Sequence, residues 1–329
     1  MNPELSFINC GSIANHLKLI LNTLNHSQFK GTGVALITPF NKDLSIDFES
    51  LERIIEYVVE GGVDYIVSLG TTGEAITLSS KECQTIFDFT ADKLNHRLPL
   101  VAGWFGANST AHLFERLKNI DLKRADAILS SSPSYNKPSQ EGIYQHYTEV
   151  AKVCKLPIIL YNVPGRTASN MTPETVCRLA ASNPIFIAVK EASGNLNQAQ
   201  YILKHRPNSN FLVLSGDDQV TLGMLACGGD GVISVIANAY PNLFSAMTRF
   251  ALDGNYEKAR IYNDTLHDVH PHLYVEGNPV GIKAAMNILN LCENNLRLPL
   301  VPLSEPNMLK LRTEMHNAQV YFDAQKKAN

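Results

Sequence analysis

The chain has 329 residues, enough to bury a large core, and an α/β barrel of roughly 250 residues plus an appendage would absorb that length. Its 45% hydrophobic and 18% charged residues exclude disorder throughout. The 28 basic and 31 acidic residues form no cationic stripe and no apolar run approaches the roughly 20 residues of a spanning helix, so neither nucleic acid nor membrane is an expected partner.

The first 28 residues are rich in asparagine, and the short apolar stretch from His16 to Leu21 lacks a basic leader and a small-residue cleavage site. Residues 1–29 therefore read as a poorly ordered extension rather than a secretory signal. From Lys30 onward, short apolar runs alternate with longer segments of helical spacing. The runs are Gly33 to Phe40, Tyr65 to Leu69, Leu98 to Ala102, Ala127 to Leu129, Pro157 to Tyr161, Phe186 to Val189, Phe211 to Leu214 and Gly231 to Ile236. Such runs are what strands covered on both faces require.

The intervening segments carry helix signals, the first from Asp47, a candidate N-cap, to a stop at Gly61. Others run near Ser79 to Asn95, Ser109 to Ile120, Ser139 to Cys154, Thr172 to Ala181, Asn195 to His205, Asp217 to Cys227 and Pro241 to Leu252. This alternation predicts a closed (β/α)8 TIM barrel over residues 30–254. An open dinucleotide-binding sheet is disfavoured, because Thr38-Pro39-Phe40 stands where a glycine-rich turn belongs. Helical patterns at Tyr256 to His267, Pro279 to Leu289 and Glu305 to His316 predict a C-terminal helical region, 255–329.

Barrel chemistry gathers where strands end. Lys190 closes a run that must be buried, and burial disfavours an ammonium, whereas a Schiff-base nucleophile needs a free amine. The alternative is a lysine paired with Glu191 or another carboxylate. Tyr161 also ends a strand, where its phenol could relay a proton or simply cap a backbone group. Thr71 and Thr72 follow Gly70 on a turn suited to a carboxylate or to a helix cap. Arg166 offers a planar fork for a second carboxylate, or a surface ion pair. Acidic Asp217 and Asp218 argue against a phosphorylated substrate. His267, His270 and His272 form the only histidine cluster, and Pro271 spoils its geometry for a metal. The six cysteines form no C-x-x-C pair, which points to a reduced, cytoplasmic protein without metal or disulfide frame.

Taken together, Gly70-Thr71-Thr72-Gly73-Glu74, Tyr161-Asn162-Val163-Pro164-Gly165-Arg166-Thr167 and Lys190-Glu191-Ala192-Ser193-Gly194-Asn195 resemble the dihydrodipicolinate synthase family, from about Phe29 to about Leu311. The resemblance implies condensation of pyruvate with L-aspartate 4-semialdehyde in lysine and diaminopimelate biosynthesis, without a metal or organic cofactor. It implies Lys190 as the Schiff-base residue and Tyr161 as proton donor and acceptor. Thr71 and a neighbouring subunit's Tyr135 complete the relay. Thr72 and Ile233 match positions that hold pyruvate, and Arg166 the arginine that receives the aldehyde's carboxylate. It also implies a homotetramer built of tight dimers. A related pyruvate aldolase, such as an N-acetylneuraminate lyase, and a non-catalytic barrel are the competing readings.

The chain departs from the family pattern in Gly103-Trp104-Phe105-Gly106-Ala107-Asn108, one residue longer than usual and carrying two aromatics that could displace Asn108. His112 and Ser134 stand where lysine-inhibited members carry glutamate and tyrosine, which implies weak feedback by lysine.

Overall fold

A computed structural model describes residues 26–328 of the chain. Eight parallel strands close into one barrel in sequence order: β1 (Gly31–Ala35), β2 (Tyr65–Ser68), β3 (Leu100–Ala102), β4 (Ala127–Ser131), β5 (Ile158–Asn162), β6 (Phe186–Glu191), β7 (Leu212–Ser215) and β8 (Gly231–Ser234). β8 pairs with β1, with Gly33 opposite Ile233. The architecture is the expected (β/α)8 barrel with C-terminal helices.

The apolar runs are strands because each residue has a dry side to go to. Outward-facing Ile66, Ile128 and Leu160 pack with helical residues such as Ile54, Ile55 and Phe87, while inward-facing Val67, Leu129 and Tyr161 fill the interior. This is the period-2 alternation of a pleated strand, covered on both faces. The helices begin where local chemistry satisfies their first N–H groups. Asp47 Oδ1 accepts from Ser50 N at 2.9 Å, and Ser79 and Glu82 form a reciprocal capping box. Each such cap stabilises by about 1 kcal/mol.

The N-terminal end of the barrel is closed. Phe29 is fully buried in the interior cluster and meets Tyr65 edge-on at 5.6 Å. Asp230 pairs with Lys30 at 3.1 Å and with Arg206, and accepts from Val213 N at 3.0 Å. The other end, where the strands finish, is left open to a cleft. Cys10 and the stretch His16 to Leu21 lie outside the described residues.

Two elements differ from the sequence expectation. β1 ends at Ala35, not Phe40: Ile37 N donates to the Asn238 side chain at 3.1 Å, and Phe40 bridges antiparallel to Ile46, with Pro39 lacking a ladder donor. The last helix runs Glu305–Ala328, past His316, because no glycine or proline follows Pro306 to stop it. Trp104 and Phe105 fold inward, their rings 5.0 Å apart and Trp104 5.4 Å from Phe87, and belong to the core.

Two histidines are buried away from the cleft-facing strands. His146 Nδ1 lies 2.8 Å from Thr110 Oγ1, and His270 packs on Phe244. His267 is exposed, so the histidine triplet does not converge. Burial lowers both His146 and His270 to about 4. Their unfolded forms take up protons below about 6.5, so the stability they contribute is complete above that pH and is lost as pH falls toward 4. We expect a loss of about 2 kcal/mol per histidine at pH 5. Urea unfolding at pH 7.5 and pH 5.0 reads this directly; coincident midpoints contradict it.

Candidate active site

The open end of the barrel carries a cleft of about 460 Å³ whose wall includes Thr71, Thr72, Tyr161, Arg166 and Lys190. Five residues singled out in the sequence therefore converge. Tyr161 and Lys190 are register partners on β5 and β6, and the Lys190 nitrogen sits 4.5 Å from the Tyr161 ring centroid. Lys190 is 5% exposed and Tyr161 8%.

The pairing of Lys190 with Glu191 does not occur. Successive residues of β6 face opposite sides, and Glu191 points into a polar network outside the barrel interior. Its Oε1 accepts from Ser193 N at 2.8 Å, and its Oε2 accepts from Gln198 Nε2 at 2.9 Å and Asn162 Nδ2 at 3.0 Å. No carboxylate among the described residues is in ion-pair contact with Lys190. An amine in an enclosed cleft without a salt-bridge partner is the arrangement nucleophilic catalysis needs.

Gly216, at the end of β7, shapes the lysine's seat. A Cβ there would lie 3.0 Å from both Cγ and Cε of Lys190 and 2.6 Å from Ala192 Cβ. Only a residue without a side chain lets β7 approach that stem.

Thr72 is buried, and its Oγ1 accepts from Asn278 Nδ2 at 3.1 Å. Arg166 is exposed at the mouth on the short helix Pro164–Thr167, and its Nη2 donates to the Asn278 carbonyl at 3.2 Å. Asn278 thus ties together two of the predicted residues. It and Tyr274, which also lines the cleft, come from the C-terminal region and were not singled out in the sequence. The only signal was that Gly277-Asn278-Pro279 interrupts a helical stretch.

Asp218 is buried behind the cleft. Its Oδ2 accepts from Val235 N at 2.9 Å, Ile236 N at 2.8 Å and the Tyr274 hydroxyl at 3.4 Å. Burial raises its carboxyl above the usual range, against the pull of the Ile236 N–H, the Ser234 hydroxyl, the Val235 N–H and Lys190. Burial likewise pushes the Tyr274 phenol well up, with Asp218 beside it adding to the effect.

Two predicted residues stand apart from the cleft wall. Ile233 is 1% exposed and belongs to the interior packing that also contains Tyr161. Tyr135 is 87% exposed, with a φ of 72° that bulky residues rarely adopt. Its N–H donates to the Thr167 carbonyl at 3.1 Å, which tethers the loop while the ring stays in solvent. Among the described residues, no group of three or more His, Cys, Asp or Glu could hold a metal ion, and no helix is long and apolar enough to cross a membrane.

Residues 28–318 match the model of the dihydrodipicolinate synthetase family. The chain is 49% identical over 288 residues to the 4-hydroxy-tetrahydrodipicolinate synthase of Flavobacterium psychrophilum, covering 87% of this chain and 98% of that one. The chain belongs to this family. Solved members of the dihydrodipicolinate synthetase family share its fold. The 4-hydroxy-tetrahydrodipicolinate synthase of Methylacidiphilum fumariolicum SolV is similar with a TM-score of 0.87 and 37% identity, over 91% of this chain and 99% of that one. The dihydrodipicolinate synthase of Acinetobacter baumannii, solved in complex with pyruvate, has a TM-score of 0.85 and 39% identity, over 88% of this chain and 99% of that one.

Proposed function

We propose that this protein joins pyruvate to L-aspartate 4-semialdehyde through a Schiff base on Lys190, giving 4-hydroxy-tetrahydrodipicolinate for lysine and diaminopimelate biosynthesis. The observation that carries the reading is the Lys190–Tyr161 pair at the strand ends, held in one cleft with two threonine hydroxyls and an arginine.

In this mechanism the Lys190 amine attacks the ketone carbon of pyruvate. Tyr161 passes protons to and from the carbinolamine, which loses water to leave an iminium. The iminium draws electrons from the neighbouring methyl, which gives up a proton and becomes an enamine carbon. That carbon bonds to the aldehyde carbon of the second substrate. The substrate's own amine then displaces Lys190 and closes the ring. Thr72 holds pyruvate, with Ile233 packed in the interior cluster that also contains Tyr161, Thr71 extends the proton relay, and Arg166 receives the semialdehyde's carboxylate. The imine is the electron sink, so the scheme calls for no cofactor. Turnover of pyruvate with L-aspartate 4-semialdehyde, and none with N-acetylmannosamine, tests it; the reverse preference would favour a sialic-acid aldolase.

Tyr135 joins the relay of a neighbouring copy in this reading. Its exposure and strained backbone suit a residue whose place is in another subunit's cleft, and 95%-exposed Ile76 lines a groove with Ser134 beside it. The assembly is a tetramer of two tight dimers. Mixing an inactive Lys190→Ala chain with a Tyr135→Phe chain is expected to restore activity, because each mixed dimer regains one complete site. No recovery after subunit exchange would place Tyr135 outside the chemistry.

The same groove includes His112 and Ser134. Its wall carries no carboxylate, and Trp104 is its one aromatic, so a lysine ammonium has no charge partner there. Activity is expected to survive millimolar lysine; half-inhibition below that would reverse this reading.

A further inference from the structure

Glu74 ends the turn that carries Thr71 and Thr72, and its role lies away from the cleft. Its backbone is left-handed, with φ 53°, and its N–H donates to the Thr71 carbonyl at 3.1 Å. The side chain enters a fully enclosed site and forms an ion pair with Lys283, both side chains having no exposure. Lys283 comes from the C-terminal helix Val280–Ile288. Its Nζ also donates to the Asn295 carbonyl at 2.9 Å and lies 4.1 Å from the Phe40 ring centroid. Arg297 N donates to Glu74 Oε2 at 3.3 Å.

Two charges taken out of water give little net stability, and well-packed apolar residues often do as well in their place. Stability alone is therefore a weak reason for this pair. Its geometric consequence is specific. The turn is fastened at Gly73, whose carbonyl accepts from Thr38 Oγ1 at 2.7 Å, and at Thr72 by Asn278. Among the described residues no hydrogen bond holds the Thr71 hydroxyl, so its direction depends on the backbone of the turn. Glu74 anchors the far end of that backbone.

We propose that the Glu74–Lys283 ion pair is a positioning device, through which the C-terminal helical region sets the Thr71 and Thr72 hydroxyls in the cleft. This rests on the roles given above to those two threonines. Both residues act through the turn and touch no substrate.

The test is steady-state kinetics on the full chain for Glu74→Gln, the double variant Glu74→Gln/Lys283→Met, and Glu74→Asp. The last keeps both charges and shortens the tether, so it addresses position even if removal of charge prevents folding. The expected result is a selective loss: kcat falls about 10–100-fold and KM for pyruvate rises about fivefold, while KM for the semialdehyde changes less than about twofold. A purely structural role would instead lower the melting temperature and the active fraction together, leaving both KM values unchanged. Folded Glu74→Asp and double variants with wild-type kinetics overturn the proposal. Wild-type protein is assayed in parallel. If it forms no borohydride-trapped pyruvate adduct, the reading of the site fails and the positioning role falls with it; if it does, failure of the variants to differ overturns the ion-pair role alone.

Discussion

Replacing Lys190 with arginine is expected to abolish the borohydride-trapped pyruvate adduct and to lower kcat by on the order of 10³–10⁶-fold. The choice of arginine matters. It keeps the positive charge and the long stem, so it preserves whatever a structural cation would do beside the Tyr161 ring. It cannot supply a neutral amine, because a guanidinium does not lose its proton in a protein. Lys190→Ala provides the second arm, removing charge and nucleophile together. If Lys190 were only a structural cation, the arginine variant would retain activity and the alanine variant would not. If it is the nucleophile, both lose activity alike. Intact-mass measurement after borohydride reduction decides the matter, and a pyruvate adduct on the arginine variant would exclude Lys190 as its site. The substitution should leave the fold standing, since no salt bridge among the described residues depends on this side chain.

Gly216→Ala is expected to lower kcat by about 100-fold while the barrel still folds. The added Cβ would sit 2.6 Å from Ala192 Cβ, which is fixed to its backbone and has no rotamer to escape into. It would also press on the Lys190 stem at two carbons 3.0 Å away. Either β7 yields or the lysine does, and a nitrogen displaced by a fraction of an ångström no longer approaches the ketone correctly. Overpacking of this size costs about 1–3 kcal/mol, which a barrel with so extensive a core should tolerate. The rate of adduct formation in a single turnover measures the displacement, with the melting temperature as control. Adding Ala192→Gly removes the closest contact and should restore part of the rate, since contacting residues couple energetically. Wild-type trapping rates in Gly216→Ala would mean that the lysine's seat is looser than its packing indicates.

The barrel was legible because its evidence is local. A run such as Phe186-Ile187-Ala188-Val189 needs apolar surroundings on both faces, and only a sheet between a filled interior and a helical coat supplies them. Asp47 and Ser79 announce helix starts by the acceptors they offer to neighbouring N–H groups. That Lys190, Tyr161 and Thr72 share one cleft was legible for a related reason. A polar residue at the end of a buried strand must face the barrel mouth or remain unsolvated, so strand position alone narrows its surroundings. The stop of β1 at Ala35 was not legible, because the competing partner of Ile37 is the side chain of Asn238, far along the chain.

The sequence by itself determined the strand and helix alternation and the closed barrel, since each follows from patterns spanning a few residues, and it offered Thr71, Thr72, Tyr161, Arg166 and Lys190 as the polar side chains that meet at the open end. Only the tertiary structure decided what stands behind them. Asn278 on Thr72, Tyr274 on Asp218 and Lys283 on Glu74 all join the barrel to the C-terminal region. No periodicity encodes such pairs, because hydrophobic patterning states which face of an element is buried and leaves open which distant polar group will meet it. That choice is made when the chain packs and every buried charge or hydroxyl must find a partner or remain unsatisfied.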